Sequence, residues 1–315
     1  MSKHHTLSSS PETCHWGAFD AKIPPVLEVE SGDRVTIHTV SGAPEVTQGE
    51  GIVVRPELKE IHAKSPRLLP GHILTGPVAV KGAMPGDVLE VRIIDVKLRD
   101  DWGWNIIRPL GGTLPDEFPD TRLLHIRMDL EKMVAKLPWG VDLPLDPFFG
   151  VMGVAPPPGW GAQTSIIPRA MGGNLDIKEL RPGATLYLPV FNEGGLFSCG
   201  DGHAVQGDGE VCITAIETAL SGTFEFIVRK DMSLKLPQAE TAKHYITIGL
   251  DPDLDEAAKI ALRGMIELIC AKSNLSREDA YTLCSLACDL RVSQLVNQHK
   301  GIHAMLPKTA LHGMK

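Results

Sequence analysis

The feature that most constrains this chain is a repeated entry into short alternating strands through tight turns of glycine and proline. Residues 26–40 show it first, with two alternating runs on either side of a Ser-Gly-Asp turn. Residues 82–94 and 181–190 repeat the arrangement, and in both a Pro-Gly turn leads into an apolar strand. The 31 glycines and 24 prolines are spread along the chain rather than gathered in a linker. This pattern favours many short strands over a helical bundle.

Residues 99–161 form a less regular stretch that is rich in tryptophan, proline and glycine. Neither helical nor strand periodicity holds there for long. We expect Trp102, Trp104 and Trp160 to be packing anchors rather than walls of a site. A long irregular stretch inside a compact enzyme is nevertheless a common place for a pocket.

The pattern becomes helical after residue 253. Residues 254–270 space their apolar side chains three and four apart, which predicts an amphipathic helix. Ser276, with an aspartate three residues later, is typical of a helix start, and residues 280–296 predict a second helix. Cys284 and Cys288 would share one face of that helix, and we expect them to pack as small apolar residues.

These patterns predict the α+β class, mainly β, with a β-sandwich core and a C-terminal helical element. We divide the chain into an N-terminal arm (1–23), a β-rich catalytic region (24–250) and a helical element (251–315) packed on the same unit. The arm includes His4 and His5, which we expect in a frayed tail.

The charge and the cysteines limit the partners and the compartment. The formal charge is −8 and the sequence pI is about 5.8, so we expect no nucleic-acid partner. No apolar run approaches the length of a membrane span, and the N-terminus lacks a signal-peptide pattern. The six cysteines form no CxxC pair. We therefore expect reduced thiols and a cytoplasmic protein.

The segment 200–210, with sequence GDGHAVQGDGE, carries the strongest chemical signal. Asp201 and His203 are two apart, so in an extended strand they point to the same side. A carboxylate and an imidazole that converge in a cleft can hold Zn²⁺ or a similar divalent ion. Asp208 and Glu210 add two carboxylates, and a metal would relieve their mutual repulsion and activate water.

Two other interpretations of this segment remain open. The same residues fit a polar glycine-rich loop on the surface, in which aspartate and glycine only form turns. Cys199 could instead be a nucleophile if a base such as His203 lowers the pKa of its thiol. No GxSxG, GxGxxG or P-loop motif is present, so the sequence supports neither a serine esterase of the α/β type nor the use of dinucleotides or ATP.

Two further clusters are candidates for substrate contacts. In the first, Gly172 and Gly173 precede Asn174 and Asp176; its residues alone also fit a turn with an Asx hydrogen bond. The second cluster centres on His72, which lies between glycine-containing turns. A lone histidine in such a place is often structural.

Four segments together resemble the acetamidase/formamidase family: GHILTGPVAVKGAMPGDVLEV (71–91), PFFGVMGVAP (147–156), the long run 169–211 and SREDAYTLCSLACDLRVSQLV (276–296). The resemblance extends from about residue 24 to residue 308. Its specific part is the order of two motifs, GGN-x-D at 172–176 followed by GD-x-H-A-x-QGDGE at 200–210.

The resemblance implies an enzyme that hydrolyses a short aliphatic amide, formamide or acetamide, to ammonia and the carboxylic acid. It also implies a sandwich-like core, a small barrel-like part and assembly into a homo-oligomer. On the matched motifs, the candidate substrate-binding residues are Asn174 and Gln206, to which we add His72.

Our hypothesis is that Asp201 and His203, with Asn174 or Glu210, hold a divalent ion, Zn²⁺ by preference. Glu210 or Asp208 would act with the ion to activate water, with His203 as a further catalytic group. Two alternatives stay open: a non-enzymatic β-sandwich that binds a small molecule or a cation, and a hydrolase of another C–N bond.

Overall fold

The structure, a computed structural model, describes residues 2–313. In that range the helices are α1 (Pro56–Lys64), α2 (Leu254–Lys272) and α3 (Arg277–Ala287), with 3-10 turns at Pro158–Trp160 and Lys308–Leu311. The strands in chain order are β1 (His4–Leu7), β2 (Cys14–Trp16), β3 (Ala18–Phe19), β4 (Leu27–Val29), β5 (Arg34–His38), β6 (Ile73–Val80), β7 (Val88–Leu98), β8 (Trp102–Ile107), β9 (Arg122–Asp129), β10 (Val134–Lys136), β11 (Asp142–Pro144), β12 (Phe148–Gly153), β13 (Gln163–Thr164), β14 (Gly172–Asn174), β15 (Thr185–Pro189), β16 (Phe197–His203), β17 (Glu217–Thr218), β18 (Leu220–Arg229), β19 (Gln238–Glu240), β20 (His244–Asp251), β21 (Asp289–Gln294) and β22 (Lys300–Pro307).

Most strands belong to two large, mainly antiparallel sheets. The first sheet has nine strands in the order β1-β5-β18-β7-β15-β19-β20-β22-β21. The second has eleven: the path β11-β10-β9-β8-β17-β16-β12-β14 is extended by β6, which pairs with β16, β2 and β4. Along the described residues neither path closes on itself, so the part expected to be barrel-like is an open sheet.

The main core lies between the two sheets. Phe224 and Phe226 are two apart on β18 of the first sheet and both face inward. The ring of Phe149 on β12 lies 5.5 Å from that of Phe224, and the ring of Phe197 on β16 lies 5.1 Å from that of Phe226. Aromatic packing across the gap makes the two sheets a sandwich. The predicted class, mainly β with helices late in the chain, is confirmed.

Helix α2 covers the first sheet. Its N-cap, Asp253, accepts hydrogen bonds from the backbone N–H groups of Asp255 and Glu256. The hydroxyl of Thr247 on β20 donates to the carbonyl oxygen of Ala261, 2.7 Å away. Gly249 permits this close approach, since a Cβ there would lie 1.9 Å from the carbonyl oxygen of Ala257. No helix in residues 2–313 is long and apolar enough to cross a membrane.

Two parts of the sequence prediction are wrong because tertiary pairing overrides the local pattern. The second late helix was expected to reach residue 296, but α3 ends at Ala287 and residues 289–294 pair with β22 at the edge of the first sheet. His4 and His5 were expected in a frayed tail, yet they lie in β1, which pairs in parallel with β5.

Other differences concern segments that the periodicity did not resolve. The β-rich region 24–250 also contains α1, which starts with Pro56 and Glu57 and has Lys64 in its last turn. Proline in the first turn and charges opposite to the helix dipole favour this helix. The irregular stretch 99–161 contains strands β8 to β12, most of them short.

Candidate active site

Strand β16 pairs with β12, β6 and β17 inside the second sheet and presents Asp201 and His203 at its carboxyl end. Oδ2 of Asp201 lies 3.3 Å from Nε2 of His203. The two-residue spacing therefore brings the two side chains together, although Asp201 itself is in the left-handed region rather than extended.

Four carboxylates surround the imidazole of His203. The distance from Nε2 of His203 to the carboxylate oxygen is 3.3 Å for Asp201, 3.3 Å for Glu217, 3.8 Å for Glu210 and 3.9 Å for Asp176. None of the five side chains is more than 10% exposed. We call these five residues the His203 cluster. Such a concentration of buried carboxylates is costly unless positive charge compensates it.

Four different segments build the cluster. Glu217 on β17 is the cross-strand partner of His203. Asp176 follows β14, which reaches the site by pairing with β12. Glu210 comes from the loop between β16 and β17. The loop folds back toward β16, although Glu210 is not paired in a regular hairpin.

The electrostatics of the cluster follow from burial and crowding. Burial raises the pKa of Asp176 to about 6 and that of Glu217 to about 8. Burial and the charge of Asp176 raise the pKa of Glu210 well above its usual value. Burial lowers the pKa of His203, but the charges of Glu217 and Asp201 outweigh it and raise the pKa well above its usual value. Strongly displaced pKa values in one cleft are a common mark of a catalytic site.

The backbone of the cluster is strained. The φ angles are 50° at Asp176, 55° at Asp201 and 44° at Glu210, all in the left-handed region that side-chain-bearing residues rarely adopt. Each such residue costs on the order of 1–3 kcal/mol, and such strain is concentrated at functional sites. Three strained carboxylates in one cluster therefore indicate a function rather than a chance turn.

Gly150 on β12 leaves room for the acidic side chains. A Cβ at this position would lie 2.5 Å from Oδ1 of Asp176 and 2.7 Å from Oδ2 of Asp201. The backbone of β12 thus forms one wall of the cluster, and the carboxylates occupy the space that a side chain would take.

The donor atoms of the cluster fit a divalent cation. Along residues 2–313, Asp176–His203–Glu210 and Asp201–His203–Glu217 each offer three ligand atoms within 4.8 Å of one another. Oδ1 of Asp176, Oε2 of Glu217, Nε2 of His203 and Oδ1 of Asn174 are buried without a hydrogen-bond partner among the described residues. No lysine or arginine in that range forms an ion pair with the cluster. Buried oxygen and imidazole donors with excess negative charge suit such an ion.

The three candidate substrate contacts lie around the cluster in different roles. Asn174 donates from Nδ2 to the carbonyl oxygen of Ile166, which leaves its Oδ1 free. Nε2 of His72 lies 3.7 Å from Oδ2 of Asp201. Gln206 instead donates to the carbonyl oxygens of Asp176 and Ser293, so it braces the backbone behind the cluster.

Asp208 lies outside the cluster, although it is only two residues from Glu210. Its side chain is 36% exposed and pairs with Nζ of Lys178 at 3.0 Å. Cys199 is also remote from the chemistry, since its side chain faces the core between the sheets and burial raises the pKa of its thiol well above the usual value. A protonated thiol in an apolar core is a poor nucleophile.

Two residues that complete the cluster were missed by sequence reasoning. Glu217 had a weak signal, because it is the only charged residue in the mostly apolar run 211–220. Asn297 had none, yet its Nδ2 donates to Oδ2 of Asp176 at 2.5 Å. Strand register brings Glu217 to the site, and a chain reversal brings Asn297 there. Neither feature can be predicted from a single sequence.

Three carboxylates of the cluster form the base of a cavity of about 200 Å³. Asp201, Glu210 and Glu217 line its floor, and His72, Asn174 and Asn297 lie beside them. These three carboxylates are thus buried in the fold but accessible to a small molecule that enters the cavity.

The fold and the site define a β-sandwich protein with a buried acidic centre that can hold a metal ion at the base of a small-molecule pocket. The chain belongs to the Acetamidase/Formamidase family, whose model matches residues 3–160 and 159–311.

Curated relatives and a solved structure agree with this assignment. The chain is 32% identical to a formamidase of Methylophilus methylotrophus over 47% of its own length and 49% of the relative's. It is 29% identical to an acetamidase of Mycolicibacterium smegmatis over 46% of its length and 50% of the relative's. The chain thus spans about half the length of the curated relatives it matches. The crystal structure of an acetamidase from Bacillus halodurans superposes with a TM-score of 0.86 at 32% identity and covers 98% of this chain and 99% of that one.

Proposed function

We propose that this protein is an amidohydrolase that converts linear amides, with formamide and acetamide as the smallest, to ammonia and the carboxylic acid. The observation that carries the proposal is one buried imidazole among four carboxylates at the base of an open cavity. The names of the curated relatives and of the superposed structure support it.

We propose Asp201, His203 and Glu217 as ligands of a divalent metal ion, with Asn174 as a further oxygen donor. The unpartnered buried atoms of this set support the assignment. The mixture of imidazole nitrogen and carboxylate oxygen favours Zn²⁺. When bound, such an ion polarises an amide carbonyl and lowers the pKa of water.

We assign the proton transfer to Glu210. Its Oε1 lies 3.8 Å from Nε2 of His203, and its side chain lines the floor of the cavity. As a base, Glu210 takes a proton from the attacking water and holds it for the leaving nitrogen. A bond forms between the acyl carbon and the water oxygen, the C–N bond breaks, and the nitrogen takes the proton from Glu210 and leaves as ammonia.

The other groups orient and support this chemistry. Asp176, whose carboxylate accepts a hydrogen bond from Asn297, holds the side of the cluster next to Glu210. We propose that His72 and Asn174, which line the cavity, contact the amide. Asp208 receives no role in catalysis, because its exposed carboxylate is paired with Lys178.

We further propose that the protein works as a homo-oligomer in the cytoplasm. The family resemblance supports the oligomer, and the six unpaired cysteines are compatible with a reducing compartment.

The test compares two carboxylates of one loop. Glu210→Gln should lower ammonia release from formamide and acetamide by about a thousandfold, since it removes the proton carrier but keeps the size. Asp208→Asn, the matched control, should stay within about threefold of the original protein. Equal activity of the two variants would remove Glu210 from catalysis. Metal bound stoichiometrically, without hydrolysis of any amide, would favour a cation-binding protein instead.

A further inference from the structure

The walls of the cavity above the cluster are apolar. Their large side chains come from six separate parts of the chain and include Trp16, Val40, Ile73, Trp104, Ile166 and Ile213. Trp104 was expected to be a packing anchor, but it lines this wall. The hydrolysis of formamide uses none of these side chains, and acetamide offers them a single methyl group.

The volume of the cavity also indicates a substrate larger than acetamide. Its volume is about 200 Å³. An apolar cavity of about 150 Å³ is large enough to bind benzene. An amide group at the floor therefore leaves room for an acyl group of about the size of a ring or a branched chain.

The backbone conformation of Ile213 indicates that the apolar wall has a role in binding. Its φ is 82°, in the left-handed region, where a β-branched residue is a clear outlier. Glycine or asparagine would adopt this conformation at less cost. The strain places an apolar side chain on the cavity wall, as is typical of residues kept for a binding role.

The rim of the cavity carries charges of both signs. Arg67 and Arg108 lie there with Glu45. The guanidinium of Arg67 is held over the ring of Trp16, 5.4 Å from its centroid, where it extends the aromatic wall. A rim of mixed charge selects neither an anion nor a cation, which favours a neutral acyl group.

We infer that the preferred substrate is a neutral primary amide whose acyl part is a bulky apolar group, branched or aromatic, held against the apolar wall that includes Trp16 and Trp104. This inference rests on the proposed amide hydrolysis at the same site. The amide lies over the His203 cluster, and the acyl group displaces water from the apolar walls.

The first experiment measures kcat/KM by ammonia release for acetamide, propionamide, isobutyramide and phenylacetamide. Burial of each added methylene group should raise kcat/KM by roughly fourfold, so phenylacetamide should exceed acetamide by at least tenfold. Values that stay level or fall along the series, while acetamide is hydrolysed, overturn the inference and leave the proposed function intact.

Two variants test the wall itself. Ala43 is half-buried and lines the cavity, so a phenylalanine at this position would fill part of the cavity. Ala43→Phe should lower the ratio of kcat/KM for phenylacetamide over acetamide by at least tenfold. The control Ala63→Phe, at an exposed position on α1, should leave the ratio unchanged. Ile213→Gly removes part of the wall and relieves its strain, so it should fold well and lower the ratio by severalfold.

A binding measurement separates failure of the inference from failure of the proposed function. Trp16 and Trp104 line the cavity, so intrinsic fluorescence reports its occupation. If no amide is hydrolysed, the proposed function is wrong, and tighter binding of phenylacetamide than of acetamide still supports an apolar acyl site. Equal or weaker binding of phenylacetamide overturns the inference in either case.

Discussion

Two buried clusters of acidic and histidine side chains lie close together in this protein, and they differ in how their charges are paired. The second, which we call the His303 cluster, consists of Glu179, Arg291, Ser293 and His303. Oε2 of Glu179 lies 3.0 Å from Nε2 of His303, Oε1 accepts a hydrogen bond from Arg291 at 2.9 Å, and Nδ1 of His303 lies 2.8 Å from Oγ of Ser293. Its single carboxylate has two positive or potentially positive partners.

The His203 cluster has the opposite balance, with four carboxylates for one imidazole. Buried ion pairs that are well matched are a common structural device, whereas unmatched buried charge destabilises a fold. The difference teaches that burial of acid and histidine does not by itself identify an active site. The excess of carboxylates over positive partners and the strained backbone do so.

The two clusters are nevertheless joined. The carbonyl oxygen of Ser293 accepts hydrogen bonds from Gln206 and from the backbone N–H of Gly209. The strand that carries half of the His303 cluster therefore supports the loop that carries Glu210. We expect changes in the His203 cluster to affect activity first, and changes in the His303 cluster to affect stability first.

The largest expected effect comes from Glu217→Gln. This change keeps the hydrogen bond that Oε1 accepts from the backbone of Ala215 but removes one of the four charges. Ammonia release should fall by about a thousandfold, and the bound metal, measured by elemental analysis, should be lost. In the metal-free protein the unfolding temperature at neutral pH should rise by about 2 °C, since the fold no longer has to hold a carboxyl group whose buried site raises its pKa to about 8. A lower unfolding temperature would show that the charge stabilises the fold.

Gly150→Ala tests the same cluster without a change of charge. The added Cβ would push against Asp176 and Asp201, so activity should fall by about a hundredfold through misplacement of the carboxylates. Gly207→Ala is the matched control: a Cβ there meets no heavy atom within 4 Å, and activity should change less than twofold. Similar losses in both variants would contradict the tight wall.

Asn297→Ala should have a smaller effect, about tenfold on kcat. It removes the amide that donates to Asp176 but leaves all the carboxylates in place. Asn297→Asp keeps the size and replaces this donor by a fifth carboxylate, so its loss should be greater. If both variants keep full activity in ammonia release, the hydrogen bond does not position Asp176.

These residues also show how much of the site could be predicted from the sequence. Asp201, His203 and Glu210 were found because they are crowded into one glycine-rich segment, and the sandwich class follows from local alternation. Glu217 and Asn297 could not be found in this way, because the pairing of β16 with β17 and the return of the chain after β21 place them. The prediction of a helix up to residue 296 was wrong for the same reason, because residues 289–294 pair with β22 instead.

The smallest effect on activity is expected for Glu179→Gln, in the balanced cluster. Burial raises the pKa of Glu179, but the neighbouring His303 and Arg291 lower it to about 2. A carboxylate whose pKa is lower in the folded state stabilises the fold at pH values above its ordinary pKa of 4.5, and this contribution is lost as the pH falls from there toward 2.

Glu179→Gln should therefore lower the unfolding temperature at pH 7 and flatten the decline of that temperature between pH 4.5 and 2, while kcat at 25 °C changes less than about threefold. Thermal unfolding across that pH range measures both. A decline as steep as that of the unmodified protein, or a loss of activity as large as that of Glu217→Gln, would erase the distinction between the two clusters.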